Sequence, residues 1–566
     1  MRIDTDWLLP PRSINGLDHL GSQAPCVLIY SQLLPGITNV TDRARYYSFY
    51  PWVTWSLDKR YPKADAGDYV ELYRRADCLF TLIAAQRFRS TGDTRQAEAM
   101  VGRLQLVPAL ERLHDGTPLR LSDYSTLEET PRRYFKNRMG GLGQYYVGQL
   151  AELEMCAKTT EKPWIKYTIE CGQIIAEAIE EALPGQSFWE TVEKDVVDTV
   201  ALDSLAAFCP SHLSASPDEH RLLLDIFFAR PSYFSQIKEK KDVAAQRQKE
   251  NTGAQRRRSL ALILNLGRAL AVQGKERLSE NMFRAAVYTG TLHDATPWEL
   301  PETLVETRAL WSIYERNDLL SVACLTVFAA CLKRILVDAA QEQTLFASVE
   351  SFASHFGESE KIRTALEPMS CETFGEFVRA IQQSGPALHE WQSPKHEFSL
   401  AQQLITDWHQ TKRPIADLVA GAVRLLALLA AREASLAEGY SNLMIQASDL
   451  RMYPINLVSF RERVTMWHAM VLPLVVTDLV NWCLNTHLSV ALRKLWQTRY
   501  SSFHLRPAEN GLHVVGDIPP PVRTLPRMWQ ALRILEDLGA LTQEVGPEGN
   551  LILTPTGDLL LEEASA

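Results

Sequence analysis

The sequence lacks the loops that identify the common nucleotide-binding and hydrolytic enzymes. It has no Walker A lysine loop, no G-x-G-x-x-G after a strand pattern and no G-x-S-x-G elbow. Each of these motifs places a backbone cradle or a nucleophile where phosphate binding or acyl transfer requires it. Their absence excludes motor, dehydrogenase and serine-hydrolase functions.

The cysteines form no spacing pattern that is typical of a metal site or a redox motif. The nine cysteines are scattered along 566 residues, and no two of them form a C-x-x-C pair. A disulfide framework or a structural zinc site is therefore not expected, and a reducing compartment fits this usage. We expect no metal ligands and no cofactor.

Excess positive charge is also missing. The formal net charge is −9, so any nucleic-acid site must be a local patch rather than a property of the whole chain. The N-terminus has no apolar signal segment. The apolar runs Ile415–Ala431 and Met470–Leu484 contain charged residues near their centres, which favours buried helices over membrane spans. We expect a cytoplasmic protein with no membrane partner.

Helical periodicity dominates from residue 41 to about residue 500, whereas strand-like alternation is scarce before residue 500. The fold class predicted is mainly α: an irregular helical bundle or superhelix with a small C-terminal α+β domain and strands concentrated after residue 500. The predicted divisions are an irregular N-terminal segment, a helical domain, a charged linker, a second helical domain and a winged-helix-like domain (1–40, 41–237, 238–258, 259–500 and 501–566).

The last forty residues carry the most specific local pattern. Leu525–Gly539 predicts a helix with a glycine stop, Ala540–Val545 and Asn550–Thr554 predict a hairpin, and a short helix follows. This order is similar to the end of a winged-helix domain. The resemblance implies a unit that binds DNA or another protein and rarely catalyses.

On the predicted C-terminal helix, Arg527, Gln530 and Arg533 fall opposite the Met/Leu stripe. Arginine and glutamine on such a face are residue types that contact guanine and adenine edges in a major groove. Glu536 and Asp537 continue the same helix, and their negative charge is unfavourable next to DNA phosphates. Double-stranded DNA and a protein partner therefore both remain open. Because these side chains lie off the apolar stripe, replacing Arg527 and Arg533 is expected to leave folding intact.

Lys238–Arg258 is a break of low hydrophobicity that ends in three arginines, Arg256, Arg257 and Arg258. Clustered guanidinium groups suit phosphate binding. A solvated charged face is the alternative.

The run from residue 46 to residue 55 contains six aromatic side chains around a proline. Thr41 or Asp42 is expected to cap a helix here, with Arg43 in its first turn. Aromatic rings interleaved with arginine suit stacking on bases or a protein contact. A buried aromatic core is the alternative. The residues singled out for partner contact are Arg43, Tyr46, Tyr47 and Trp52.

Catalytic patterns are at chance level. Arg463 and His468 match the R-x4-H pattern of helical ribonucleases of the HEPN class, and Arg499 and His504 match it as well. A motif that fixes two positions is expected by accident in a chain of this length. No catalytic residue is assigned beyond these weak candidates.

Three N-terminal stretches, Leu17–Gly21, Leu33–Thr41 and Tyr46–Trp52, resemble the opening of large uncharacterised bacterial proteins associated with anti-phage defence loci. The resemblance implies a cytoplasmic subunit of a multi-gene system in which a partner, such as a helicase or a nuclease, does the enzymatic work.

The function favoured by these patterns is a non-enzymatic helical adaptor for antiviral defence, with its winged-helix-like unit touching DNA or a partner protein. A HEPN-like nucleic-acid-cleaving effector and a transcriptional regulator are the alternatives.

Overall fold

The computed structural model describes residues 18–40, 42–92, 99–114, 117, 119–159, 165–230, 243–274, 278–292, 294–342, 345–410, 413–433, 453–543 and 551–565. The first seventeen residues, Thr41, residues 238–242 of the predicted linker and the tip of the C-terminal hairpin lie outside them.

The fold is mainly α, as the periodicity predicts. The helices, in chain order, are α1 Ala24–Leu33, α2 Tyr46–Arg60, α3 Ala66–Thr91, α4 Arg103–His114, α5 Ser122–Ser125, α6 Val147–Glu152, α7 Gly172–Ala182, α8 Gly185–Lys194, α9 Thr199–Ser204, α10 Pro217–Phe227, α11 Val243–Gln273, α12 Glu280–Thr289, α13 Glu302–Val337, α14 Val349–Gly357, α15 Glu360–Leu366, α16 Phe374–Ser384, α17 Glu397–His409, α18 Ile415–Glu433, α19 Leu457–Trp467, α20 Leu472–Thr498, α21 Met528–Asp537 and α22 Pro555–Ser565.

Strands form only short antiparallel pairs among the described residues. The pairs are β1 Leu119–Arg120 with β4 Val196–Val197, β2 Cys156–Lys158 with β3 Ile165–Tyr167, β5 Leu505–Ala508 with β6 Gly511–Val514, and β7 Leu541–Gln543 with β8 Leu551–Leu553. Two pairs precede residue 500, so the prediction that strands concentrate after it is wrong in part. Strands β1 and β4 lie almost eighty residues apart in sequence, so no local turn pattern joins them.

The chain divides into two compact units, each built from separated segments. The first unit comprises Met1–Tyr30, Arg284–Glu299 and Arg308–Thr524, and the second comprises Ser31–Phe283, Leu300–Thr307 and Leu525–Ala566. These divisions differ from the five consecutive segments that the sequence predicts. Sequence composition marks linkers, but it does not show that the C-terminal residues pack into the same unit as residues 31–283.

The helix–hairpin–helix order at the C-terminus is confirmed. Helix α21 begins at Met528, three residues later than predicted, and Gly539 adopts a left-handed conformation after it, with φ 70°. Strands β7 and β8 pair with Leu541 opposite Leu553. Within the second unit, β8 and α22 pack against α11. The Met/Leu stripe of α21 is buried as predicted.

The apolar runs of the first unit are core helices. Most residues of α18 are buried, and the run expected around residues 470–484 forms the buried first half of α20. Sequence inspection missed a third apolar segment. Glu302–Gln341 is long and apolar enough to cross a membrane, and 78% of its most apolar window is packed inside the protein. Burial of this kind is typical of a core helix.

Three histidines meet in the core of the first unit. The ring centroids of His19 and His504 lie 4.4 Å apart, and His487 lies 6.4 Å from His19 and 6.0 Å from His504. His487 Nδ1 donates to the carbonyl oxygen of His19 at 3.1 Å, and its Nε2 accepts from the amide of His504 at 3.0 Å. Acceptance by Nε2 needs the neutral ring, because both nitrogens of a protonated ring are donors. Burial lowers the pKa of His19 to about 3 and that of His487 to about 4, and it also lowers the pKa of His504.

Acid should therefore weaken the first unit through this cluster. Above pH 6.5 the rings are neutral in both states, and their contribution to folding is complete. As the pH falls below 6.5, the unfolded chain binds protons that the folded rings refuse, so stability is lost progressively toward pH 4. Urea unfolding of the wild type and of His19→Gln at pH 7.5 and at pH 5 measures this effect, because glutamine cannot take up the proton.

The free energy of unfolding of the wild type should fall relative to His19→Gln on going from pH 7.5 to pH 5. His409→Gln, which changes an exposed histidine of the same unit, is the control. A difference between wild type and His19→Gln that stays constant with pH would contradict the prediction.

A groove beside the C-terminal helix as the candidate functional site

Helix α21 docks on the chain's own segment 34–44, within the second unit. Arg527 Nη1 donates to the carbonyl oxygen of Leu34 at 3.0 Å, and Gln530 Nε2 reaches that of Asn39 at 3.4 Å. The Arg533 guanidinium lies 3.4 Å from the carboxylate of Asp42 and 3.1 Å from that of Glu536, and its side chain is 9% exposed. The face predicted to contact DNA therefore makes internal contacts.

An ion pair holds the C-terminal end of α21. Arg43 donates through Nε and Nη2 to the two carboxylate oxygens of Asp537 at 3.0 and 2.9 Å, and the amide of Ala44 donates to the same carboxylate at 2.9 Å. Both side chains are buried. Burial alone would lower the pKa of Arg43, but the carboxylate of Asp537 outweighs it and raises the pKa. His220 also contacts the end of the helix, at the carbonyl oxygen of Leu538, 2.9 Å away.

These contacts correct two expectations. The sequence predicts that Asp537 repels DNA, whereas in the structure its carboxylate binds Arg43. Arg533 was expected to be dispensable for folding, but it is buried between two carboxylates. The apolar stripe alone could not show this, because the partner Asp42 lies almost five hundred residues away in sequence.

The arginine cluster at 256–258 does not form an accessible patch. Arg256 is buried and donates to the carbonyl oxygens of Phe227, Ile226 and Pro35 at 2.9, 2.7 and 3.2 Å. Two of these carbonyls end α10, where the last turn of a helix lacks internal donors. Arg257 donates to a backbone carbonyl at 3.3 Å, and Arg258 is half-buried. The phosphate-binding interpretation is corrected for Arg256, because this side chain donates to the carbonyl oxygens at the end of α10.

The aromatic run forms a core, so the assignment of these side chains to partner contact is corrected. Tyr46, Tyr47 and Trp52 are fully buried on α2, and Arg43 is buried beside Asp537. The rings pack against aromatic side chains of other helices; Tyr46, for example, meets Phe80 edge to face at 5.0 Å. The expected cap is also wrong for Asp42. The N-cap of α2 is Arg45, whose side chain accepts no cap bond, and Thr41 lies outside the described residues.

The exposed apolar side chains of this region line a groove next to α21. The groove has a volume of about 650 Å³. Its wall consists of the exposed outer side of α21, the start of α4 and an aromatic loop, namely Val40, Asp42, Ala99–Gln105, Tyr134, Phe135, Tyr145, Trp529 and Gln530. We refer to it as the Trp529 groove. Leu104 is 79% exposed, Trp529 49% and Val40 45%, so three large apolar side chains face solvent around one depression.

The aromatic wall of the Trp529 groove is braced from behind. Phe135 and Tyr145 pack edge to face with centroids 5.3 Å apart. The Arg533 guanidinium lies 6.0 Å from the ring centroid of Trp529, within range of a cation–π contact. Gly102, with φ 76°, lets the start of α4 approach closely, because a Cβ there would come within 2.8 Å of the Tyr134 ring.

Loop 126–138 carries Phe135 and is held by one buried arginine. Arg74, which is 1% exposed, donates to the carbonyl oxygens of Thr126, Phe135 and Asn137 at 3.1, 2.9 and 2.6 Å, and also to that of Ser125. The loop has no regular structure, so these bonds replace the ladder that a helix or strand would provide.

Asp77 fixes the same loop from the core side. Its carboxylate accepts from the hydroxyls of Tyr134 and Tyr50 at 3.0 and 3.1 Å, and from the amide of Gly141 at 3.2 Å. Burial raises the pKa of Asp77 to about 6. Together with Arg74, this carboxylate makes the loop a preformed wall.

One cation, Arg103, is among the described residues that line the Trp529 groove, and it is exposed at the first position of α4. Loop 126–138 also carries the exposed cations Lys136 and Arg138 and the exposed carboxylates Glu128 and Glu129, outside this lining. Of the described residues that line the groove, Asp42 is the only carboxylate, and it is buried beside Arg533. Sequence reasoning missed this site. The signal was present in the basic and aromatic run Arg132–Arg138, but that run has no period that marks an element.

The arginine and the histidine of each R-x4-H copy have different surroundings. Arg463 binds the carboxylate of Asp478 at 2.5 Å and lies 5.1 Å from the ring centroid of Trp482, while His468 is exposed just after α19. In the second copy, His504 is buried in the histidine cluster and Arg499 is exposed. Among the described residues there is no group of histidine, cysteine or carboxylate side chains that could hold a metal ion.

Comparisons with protein-family profiles, with curated proteins and with solved structures each give no match. The winged-helix and N-terminal resemblances therefore stay predictions.

Asp537→Ala should destabilise the second unit by about 3–5 kcal/mol, because it leaves the buried Arg43 without its carboxylate. Urea unfolding at pH 7.5 measures the loss. Asp558→Ala removes a carboxylate from the exposed ion pair with Arg268, whose side chain is 37% exposed, and should cost about 1 kcal/mol or less. Equal losses in the two variants would contradict the assigned role of Asp537.

Arg74→Met should release loop 126–138, because several buried carbonyls lose their donor. We expect a loss of about 3 kcal/mol or more in unfolding free energy. Hydrogen–deuterium exchange of peptides that cover the loop should be faster than in the wild type. Arg112→Met is the matched control, since the exposed Arg112 makes one bond to the Tyr124 hydroxyl at 2.6 Å. Unchanged loop exchange in Arg74→Met would show that the loop is held by other contacts.

Proposed function

We propose that this chain is a non-enzymatic helical adaptor that binds a partner protein in the Trp529 groove. The observation that carries the proposal is the docking of α21 on segment 34–44. This docking engages Arg527, Gln530 and Arg533 internally and leaves Trp529 at the edge of an apolar groove. A helix that inserts into a major groove needs the opposite arrangement, with accessible polar side chains toward the bases.

The composition of the groove supports a protein partner. Aromatic side chains and arginine are enriched where protein interfaces concentrate their binding energy, and such residues cluster in preformed pockets. The wall is preformed here because Arg74 and Asp77 hold the loop that carries Phe135. A preformed surface loses less conformational freedom on binding than a surface that must order itself.

The setting of the adaptor rests on the N-terminal resemblance. That resemblance supports a cytoplasmic subunit of a bacterial anti-phage system, in which a helicase or a nuclease is the enzymatic partner. The ribonuclease alternative has less support, because Arg463 is engaged with Asp478. The regulator alternative relies on DNA contacts by residues that face the chain's own backbone.

Co-expression with the products of the flanking genes tests the proposal. The tagged wild-type chain should co-purify with at least one of those products in stoichiometric amount. Trp529→Ala with Leu104→Asp should abolish the complex, since the first change removes an aromatic anchor and the second places a charge on the apolar wall. Trp496→Ala is the control, because Trp496 is 71% exposed on α20 of the first unit.

Two outcomes would overturn the adaptor. One is a complex that survives the groove substitutions but is lost in Trp496→Ala. The other is cleavage of RNA or DNA by the purified chain, with or without Mg²⁺, that His468→Ala abolishes, because such cleavage would assign the chemistry to this protein itself.

A further inference from the structure

We propose that the Trp529 groove binds an acidic peptide segment with one large apolar anchor, and this inference rests on the proposed adaptor function. The groove offers two kinds of contact side by side, which are an apolar wall of exposed Leu104 and Trp529 and a rim that carries Arg103. A segment that fits both must pair carboxylates with an aromatic or leucine side chain.

The apolar half of the recognition follows from the shape of the wall. The groove volume of about 650 Å³ lies in the range of about 300–1,000 Å³ that is typical of ligand sites. Phe135 and Tyr145 meet edge to face, and both line the groove together with Leu104 and Trp529. An inserted aromatic or leucine side chain would contact rings and methyl groups and would leave no buried polar atom unpaired.

The acidic half follows from charge. Arg103 is exposed at the N-terminal end of α4, where the helix dipole adds a partial positive charge. Lys136 and Arg138 are exposed on the loop that holds Phe135, as are Glu128 and Glu129, but none of these four residues lines the groove. The one carboxylate among the described lining residues, Asp42, is buried and lies beside Arg533. A basic segment would meet like charge at this rim, whereas an acidic one is attracted to it.

Single-stranded nucleic acid is the competing anion, and the geometry of the rings disfavours it. Bases stack on open ring faces. The edge-to-face packing of Phe135 with Tyr145 covers one of those faces, and the Arg533 guanidinium covers one side of Trp529. The most exposed wall residue is Leu104, which offers no flat surface for a base.

Selection from a displayed library of random twelve-residue peptides, with the full chain as bait, tests this inference. Selected peptides should share carboxylates next to a phenylalanine, tryptophan or leucine. Synthetic, fluorescein-labelled versions should bind the wild type, and Trp529→Ala and Arg103→Glu should each weaken the affinity about tenfold or more. Affinity for the wild type should also fall as salt is raised, because the rim contacts are screened.

Trp496→Ala and Lys63→Glu are the matched controls, since they change an exposed tryptophan and an exposed cation elsewhere, and neither should change the affinity. Selected peptides without acidic residues, an empty selection, or peptides insensitive to both groove substitutions would overturn the inference. Binding of twelve-nucleotide oligothymidine or oligoriboadenylate that Trp529→Ala abolishes would overturn it as well and would assign the groove to nucleic acid.

The two proposals fail separately. If a flanking gene product co-purifies through Trp529 while acidic peptides do not bind, the adaptor function stands and the peptide chemistry is wrong. If acidic peptides bind but no flanking product co-purifies, the peptide site stands and the adaptor function is wrong.

Discussion

The buried pair between Arg43 and Asp537 is the constraint on which the C-terminal part of the second unit depends. It joins residues 494 positions apart and places a carboxylate at the C-terminal end of α21, where the helix dipole alone would disfavour it. Two guanidinium bonds and the amide of Ala44 compensate for that position. Once this end is fixed, the outer face of α21 lies along segment 34–44, and Trp529 is left at the groove.

Burial explains why several candidate residues selected by type are structural. Arginine suits phosphate, bases and buried carbonyls equally well, because its five donors fit any planar acceptor set. Arg256 donates to the last carbonyl groups of α10, and Arg74 donates to those of loop 126–138, whereas Arg103 is exposed at the groove. Burial separates these roles, and burial depends on partners that are remote in sequence. Local spacing therefore could not have distinguished them.

Periodicity predicted the helices that bury one apolar face and the hairpin that neighbouring residues form. The mainly α class, the inward stripe of α21 and the closing hairpin follow from spacing and from Gly539. The pairs β1–β4 and β2–β3 were not predicted; β1 and β4 lie almost eighty residues apart in sequence, so no local turn pattern joins them. Loop 126–138 was missed for a different reason. Its order comes from the side chain of Arg74, some fifty residues earlier, and a loop without a pattern looks the same in sequence whether it is braced or free.

The bonds from Arg74 to loop 126–138 have a physical reason under the proposed binding role. Holding an irregular segment through several carbonyl bonds to one buried arginine is a costly way to connect α5 to α6, because that cation must be removed from water. A short polar turn would serve a connection alone. The arrangement is understandable if the segment must present Phe135 in a fixed position in the groove, since a preformed wall avoids the ordering cost at the moment of binding. The aromatic core of α2 contributes in the same way, because it supports α3 and thereby the position of Arg74.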